Sequence, residues 1–293
     1  NDPELQTAQA KRPGRRHSSW TAVWHRTDRR LQVLGDAEVE QVRLITPDGS
    51  RGIAQDETPY EKLTTWDGRY SDVYLVNTID GTRTKILEKL RGGVSTSPHG
   101  RYVTWFDTSY HWWSLDVGTL QKRDLTSAIP VAFHRSDDDH PGPDPAWGIA
   151  GWTEHDQEVV INDEFDLWRV SPSTGAISCV TDGYGRAEKV RLRVEVLDSE
   201  KEFLPNDLLL TATNIETMAT GCFTDSLTEP VKPRRLVMMD KALGGIVKAK
   251  KAERLLFTLA TFAEFPDLWT SGLAFSDLRL AAKLHKGGDT PAA

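Results

Sequence analysis

Cysteine is nearly missing from this chain: Cys179 and Cys222 are the only two in 293 residues. Two thiols exclude a dense disulfide framework, their spacing is not that of a metal site, and two separate core thiols are the expected reading. Long apolar runs are missing as well. No stretch approaches the roughly 18 consecutive apolar residues of a membrane span, and no apolar signal segment stands at the N-terminus. The chain opens on Asn1 rather than on Met, so it is expected to begin inside a longer polypeptide, and its compartment stays open. Excess positive charge is also lacking. With 36 Lys and Arg against 43 Asp and Glu, the net charge is -7, which argues against the concentrated basic face that a nucleic-acid partner needs. The one dense basic run, Lys11 to Arg16, reads as a flexible solvated segment.

What is present is the composition of a folded protein with a sizeable core: 38% hydrophobic and 27% charged residues, with ten tryptophans. The tryptophans sit in text that repeats. Residues 42–90 run VRLITPDGSRGIAQDE and then, after a loop holding Trp66-Asp67-Gly68, DVYLVNTIDGTRTKIL. Residues 92–126 follow the same plan as GGVSTSPHGRYVTWFD and HWWSLDVGTLQKRDLT, and residues 148–182 as GIAGWTEHDQEVVIND and FDLWRVSPSTGAISCVTD. Residues 245–284 give GIVKAKKAERLLFTLA and PDLWTSGLAFSDLRLAAKL, and a degenerate unit fills 190–240 with VRLRVEV, LLLTATN, ATGCFTD and RRLVMMD. A period of this length points to stacked or circular repeats.

Each unit reads as strand, turn, strand, connection, a strand of the D-[VL]-[YW] type, a turn with Gly or Ser, and a closing strand. That is a four-stranded antiparallel meander. The expected fold is therefore all-β, a β-propeller of about five full blades (42–90, 92–126, 148–182, 190–240, 245–284) and a partial one within 1–41. Residues 285–293 form a tail or the start of a linker. A four-stranded blade exposes two apolar faces, and face-to-face packing buries both. Trp105, Trp113, Trp152, Trp168 and Trp269 are the rings expected to fill the wedge between blades. The insert from Ala128 to Trp147, rich in Asp and Pro, is expected to be an exposed loop.

The chemistry that is present is thin. His134, Asp137, Asp138, Asp139 and His140 are the residues in the insert that would gather a divalent cation, but adjacent aspartates converge poorly on one ion, so a solvated loop is the expectation. Asp163, Glu164 and Asp166 read as turn and surface carboxylates. The nearest approach to a nucleophile elbow, Gly93-Val94-Ser95-Thr96-Ser97, lacks the final Gly and leads into a Pro turn and a strand rather than a helix. There is no H-E-x-x-H, no P-loop and no dinucleotide fingerprint. No catalytic, cofactor-binding or metal residue is assigned, and no cofactor is expected.

The ordered series GGVSTSPHGRYVTWFD, HWWSLDVGT, LTSAIPVAFH, GIAGWTEHDQEVVINDEFDLWRV, TDGYGR and LFTLATFAEFPDLWTS resembles the β-propeller domain of bacterial peptidases of the prolyl oligopeptidase family, the dipeptidyl-peptidase and acylaminoacyl-peptidase group. The resemblance runs from about Asp2 to Leu284. It implies a propeller that precedes an α/β-hydrolase domain carrying Ser, Asp and His, a domain absent from this chain, with the propeller acting as lid and size filter for peptide substrates. The resemblance implies a bacterial source and leaves the compartment, periplasmic or cytoplasmic, open. The alternative is a stand-alone propeller that binds a protein or peptide. With fewer blades than the seven or eight usual in the resembling family, the end sheets are expected to promote self-association.

Overall fold

Turn chemistry divides this chain into short strands, and the strands pair with their neighbours in sequence. The computed structural model describes residues 19–39, 41–140, 142–229 and 231–284; the basic run at Lys11 to Arg16 and residues 285–293 lie outside them. The chain forms two compact units, residues 1–146 with 155–157 and 171–175, and residues 147–154, 158–170 and 176–293.

The first unit opens with a hairpin of β1 (Ala22–His25) and β2 (Arg30–Val33). Two four-stranded antiparallel sheets follow: β3 (Val42–Leu44), β4 (Arg51–Asp56), β5 (Tyr70–Asn77) and β6 (Arg83–Arg91), then β7 (Ser95–Thr96), β8 (Tyr102–Phe106), β9 (Trp112–Asp116) and β10 (Lys122–Asp124). The second unit holds three such sheets: β11 (Ile149–Trp152), β12 (Val159–Asn162), β13 (Leu167–Val170) and β14 (Ile177–Cys179); β15 (Val190–Val194), β16 (Asp207–Asn214), β17 (Thr220–Ser226) and β18 (Arg234–Met239); β19 (Ala242–Lys248), β20 (Arg254–Ala260), β21 (Asp267–Gly272) and β22 (Arg279–Ala282). In all five, spatial order is chain order, the four-stranded meander of a propeller blade.

The same side-chain devices recur from sheet to sheet. Turns between neighbouring strands are closed by an Asp or Asn that accepts from amides two and three residues on: Asp116, between β9 and β10, from Gly118 and Thr119 at 3.0 and 2.9 Å, and Asn214, between β16 and β17, from Glu216 and Thr217 at 3.0 and 2.9 Å. An aspartate beyond the second strand accepts the indole N–H of the third: Asp107 from Trp113 and Asp163 from Trp168, both at 2.8 Å. A threonine after the outermost strand accepts an amide of the third, Thr126 from Trp112 at 2.9 Å and Thr181 from Leu167 at 3.3 Å.

Sheet packs on sheet within each unit. In the first, Ile53, Val73 and Leu75 join Val103, Trp105 and Leu115 in one cluster. In the second, Val160 and Leu167 pack with Leu192, Leu210 and Phe223, while Cys222 on the other face packs with Leu255 and Phe257. Central strands are buried on both faces, β12 at all four residues, whereas β22 is exposed at all four. Each fully buried Leu, Val or Phe contributes about 1.5–3 kcal/mol.

Two expectations change. Of the five proposed wedge rings, Trp105 and Trp152 are buried; Trp113 and Trp269 are half-buried but pack against the clusters between sheets, Trp168 is half-buried, and aliphatic residues and Phe make up most of those clusters. The indole N–H needs an acceptor, and the aspartate of the adjoining turn supplies it to Trp113 and Trp168. The insert is also not wholly exposed. Ile129 and Phe133 are buried, and the Arg135 amide donates to the Pro145 carbonyl at 2.8 Å, folding the insert back on itself.

Candidate functional site

Ser97 ends the stretch nearest to a nucleophile motif, and it is buried in a structural role. Its hydroxyl donates to Asp156 at 2.6 Å and accepts the Tyr102 amide at 2.9 Å. Asp156, fully buried, also accepts the amides of His99 and Arg101, each at 3.2 Å. Its backbone, like that of His155, lies in the left-handed region, at φ 55° and 58°, which turns the carboxylate toward the Ser97–Arg101 turn. Ser95 lies on a two-residue strand, so no sharp strand-to-helix turn presents a serine here.

The insert's candidate metal residues separate. Asp138, Asp139 and His140 bring their ligand atoms within 4.8 Å of one another. His134 stands apart, stacked on Tyr110 at 4.2 Å between ring centroids and 3.7 Å from Asp144. Asp138 accepts from the His140 amide at 3.0 Å and pairs with its ring Nδ1 at 2.6 Å; these bonds hold its carboxyl below the usual range. This is the geometry of a turn closing on itself, with Asp139 and His140 open to solvent.

Asp163 and Asp166 correct the reading of surface carboxylates: both are buried. Asp163 accepts the amides of Phe165 and Asp166 at 2.6 and 2.8 Å besides the Trp168 indole, and Arg186 stands 3.2 Å away. Asp166 accepts from the Thr181 hydroxyl at 2.7 Å and the amides of Gly185 and Arg186 at 2.8 and 3.1 Å, while burial pushes its carboxyl above the usual range. Glu164 is partly exposed and pairs with Arg191 at 2.9 Å. Arg193 donates to the carbonyls of Asp163 and Glu164 at 2.9 and 3.1 Å, and burial lowers its pKa to about 10. The carboxylates therefore fasten the β11–β14 sheet to β15; with their hydrogen-bonding capacity spent on this chain, they are poor candidates for an acid and base pair.

One concavity is not announced by the sequence. A cavity of about 380 Å³ lies in the second unit beneath the connection from β15 to β16, walled by Val194, Leu197, Phe203, Leu204, Leu208, Leu209 and Leu236. Glu195 lines it. Its amide donates to the Leu209 carbonyl at 2.8 Å, and Leu209 pairs with Thr224, so these three residues form a row on the face turned to β19–β22. Burial holds the Glu195 carboxyl above its usual range, and no hydrogen bond or ion pair to that carboxyl is found among the described residues. Nearby Cys222, on the same face, has its thiol pushed up to about 12, by burial first and by the Glu195 charge second. A second, more polar cavity of about 260 Å³ lies in the first unit against Arg91, Asp107, Trp112 and Asp144.

No protein-family model matches the chain, and no curated protein sequence matches it. Solved structures do. Dipeptidyl peptidase 4 from Porphyromonas gingivalis aligns at a TM-score of 0.55 and 9% identity over 92% of this chain and 44% of its own. Oligopeptidase B from Leishmania major aligns at a TM-score of 0.50 and 11% identity over 87% of this chain and 36% of its own. This chain thus spans less than half the length of either peptidase. At such identities the likeness is one of fold: the chain is built of the β-propeller blades found in the propeller domains of such peptidases.

Proposed function

We propose that this chain is the non-catalytic propeller portion of a serine peptidase, covering a hydrolase active site and admitting peptides by size. The observation that carries the reading is the alignment of nearly the whole chain, 92%, with only 44% of a dipeptidyl peptidase, together with the blade-by-blade resemblance in the sequence. The serine nearest to a nucleophile motif is committed to Asp156, which agrees with a chain that leaves the chemistry to another domain. Size selection follows from burial of the hydrolase site beneath blades that admit an extended peptide and reject a folded protein.

The coding sequence beyond Ala293 tests this. Expressed with the propeller, it should hydrolyse short chromogenic peptides and leave a folded protein such as native ribonuclease intact, whereas the hydrolase freed of the propeller should lose that discrimination. A reading frame that continues through a domain's length without a strand, G-x-S-x-G and helix succession would overturn the reading. The cavity beside Glu195 favours a second one, a self-contained binding propeller; a defined peptide forming a one-to-one complex with this chain alone would support it.

A further inference from the structure

The cavity under the β15–β16 connection has the attributes of a small-molecule site. Its volume of about 380 Å³ falls in the range of ligand pockets, its walls are mainly aliphatic, and its charge is concentrated at few points. Four carboxylates line it, Glu195, Asp198, Glu202 and Asp207, against two ammonium groups, Lys201 and Lys248. Lys248 is drawn to Glu253, 3.0 Å away. Glu195, the residue that follows β15, is half-buried in a row with Leu209 and Thr224, and no cation of this chain neutralises it among the described residues.

We propose that this cavity binds a small apolar cation, an aliphatic or aromatic amine whose body fills the leucine-lined space and whose ammonium group meets the Glu195 carboxylate. The apolar body is selected by the walls, and the positive charge by the Glu195 carboxylate. A partly buried carboxylate that gains an ammonium partner exchanges an uncompensated charge for a charge-assisted hydrogen bond, and this supplies discrimination against a neutral isostere. The proposal stands on the second unit alone and is independent of the peptidase reading.

Three probes of one shape, 3-phenylpropan-1-amine, 3-phenylpropan-1-ol and 3-phenylpropanoate, separate the contributions by titration calorimetry and protein-observed NMR on the intact chain. At pH 7.5 the amine should bind at least about tenfold more tightly than the alcohol, with the carboxylate weakest, and shifts should centre on the Leu204, Leu208, Leu209 and Leu236 methyls. E195Q should remove the preference for amine over alcohol while leaving alcohol binding intact. Should that variant fail to fold, pH gives a second readout in the wild type. Lowering the pH protonates Glu195 and should erase the preference; Asp198, Glu202, Asp207, Lys201 and Lys248 are the other charged groups at the lining, and the Cys222 thiol, pushed up to about 12, stays neutral throughout. Equal affinity for amine and alcohol at pH 7.5, a preference that survives both E195Q and acidification, or shifts located elsewhere would overturn the proposal.

Discussion

At the scale of single residues, the molecule separates carboxylates that are fully engaged from those that are not. Asp225 belongs to the second kind: it is buried on β17, its Oδ1 accepts the Ser226 amide at 2.8 Å, and its Oδ2 has no partner among the described residues. Burial, opposed only by the Ser226 bond, raises its pKa from 3.8 to about 6. A carboxyl whose pKa is higher folded than unfolded holds its proton more tightly when folded. It therefore carries no penalty below pH 4, accumulates one between pH 4 and 6, and bears all of it above pH 6. The displacement corresponds to on the order of 2–3 kcal/mol. Asp225→Asn removes the charge and should raise the free energy of urea unfolding at pH 8 by that amount while leaving it unchanged at pH 3; equal effects at the two pH values would show that the carboxyl is not desolvated. Glu195 shows why such residues escape notice in the sequence. In VRLRVEV, residues 190, 192 and 194 are apolar and 191, 193 and 195 are charged, which reads as one buried and one solvent face. In a blade the second face lies against the next sheet, so alternation assigns Glu195 to solvent when packing does not.

At the scale of the element, the blades depend on a few backbone approaches that admit no side chain. Gly100, in the turn between β7 and β8, has φ +71°, and a Cβ there would stand 2.2 Å from the Ile45 carbonyl oxygen at the end of β3. Gly49, in the turn between β3 and β4, has a similar φ of +68°, but its Cβ would meet only the Leu44 side chain, at 3.8 Å. Alanine at either site incurs the left-handed penalty of about 1–2 kcal/mol, and only Gly100→Ala adds a clash between sheets. Chemical denaturation should find Gly100→Ala less stable than Gly49→Ala by about 2 kcal/mol; equal losses would mean that the sheets separate at no cost. This scale is the most legible in the sequence. S-P-H-G-R-Y, D-V-G-T and D-L-W specify turn, turn and strand through local chemistry that survives in any context, so the four-stranded meander can be read residue by residue. The indole partners of Trp113 and Trp168 are less legible, because Asp107 and Asp163 come to face the rings only after the strands pair.

At the scale of the whole molecule, connectivity sets how stability is shared. Residues 155–157 and 171–175 belong to the first unit, yet they are the turns joining β11 to β12 and β13 to β14, strands of the second. Asp156 anchors the first turn by accepting from Ser97, His99 and Arg101. Arg123 anchors the second, donating to the carbonyls of Pro172 and Ser173 at 2.7 and 3.0 Å. These two turns are thus held by hydrogen bonds inside the first unit, while β15–β22 have clusters of their own. Asp156→Ala leaves the Ser97 hydroxyl and two amides without their acceptor, a loss of about 3 kcal/mol. Hydrogen exchange on that variant should accelerate at least about tenfold across residues 97–104 and 149–162, less across 167–179, and not measurably across 207–226 or 254–272. Uniform acceleration along the chain would instead establish a single cooperative unit, and unchanged exchange in β11 and β12 would show that the turn holding Asp156 does not support the strands it connects.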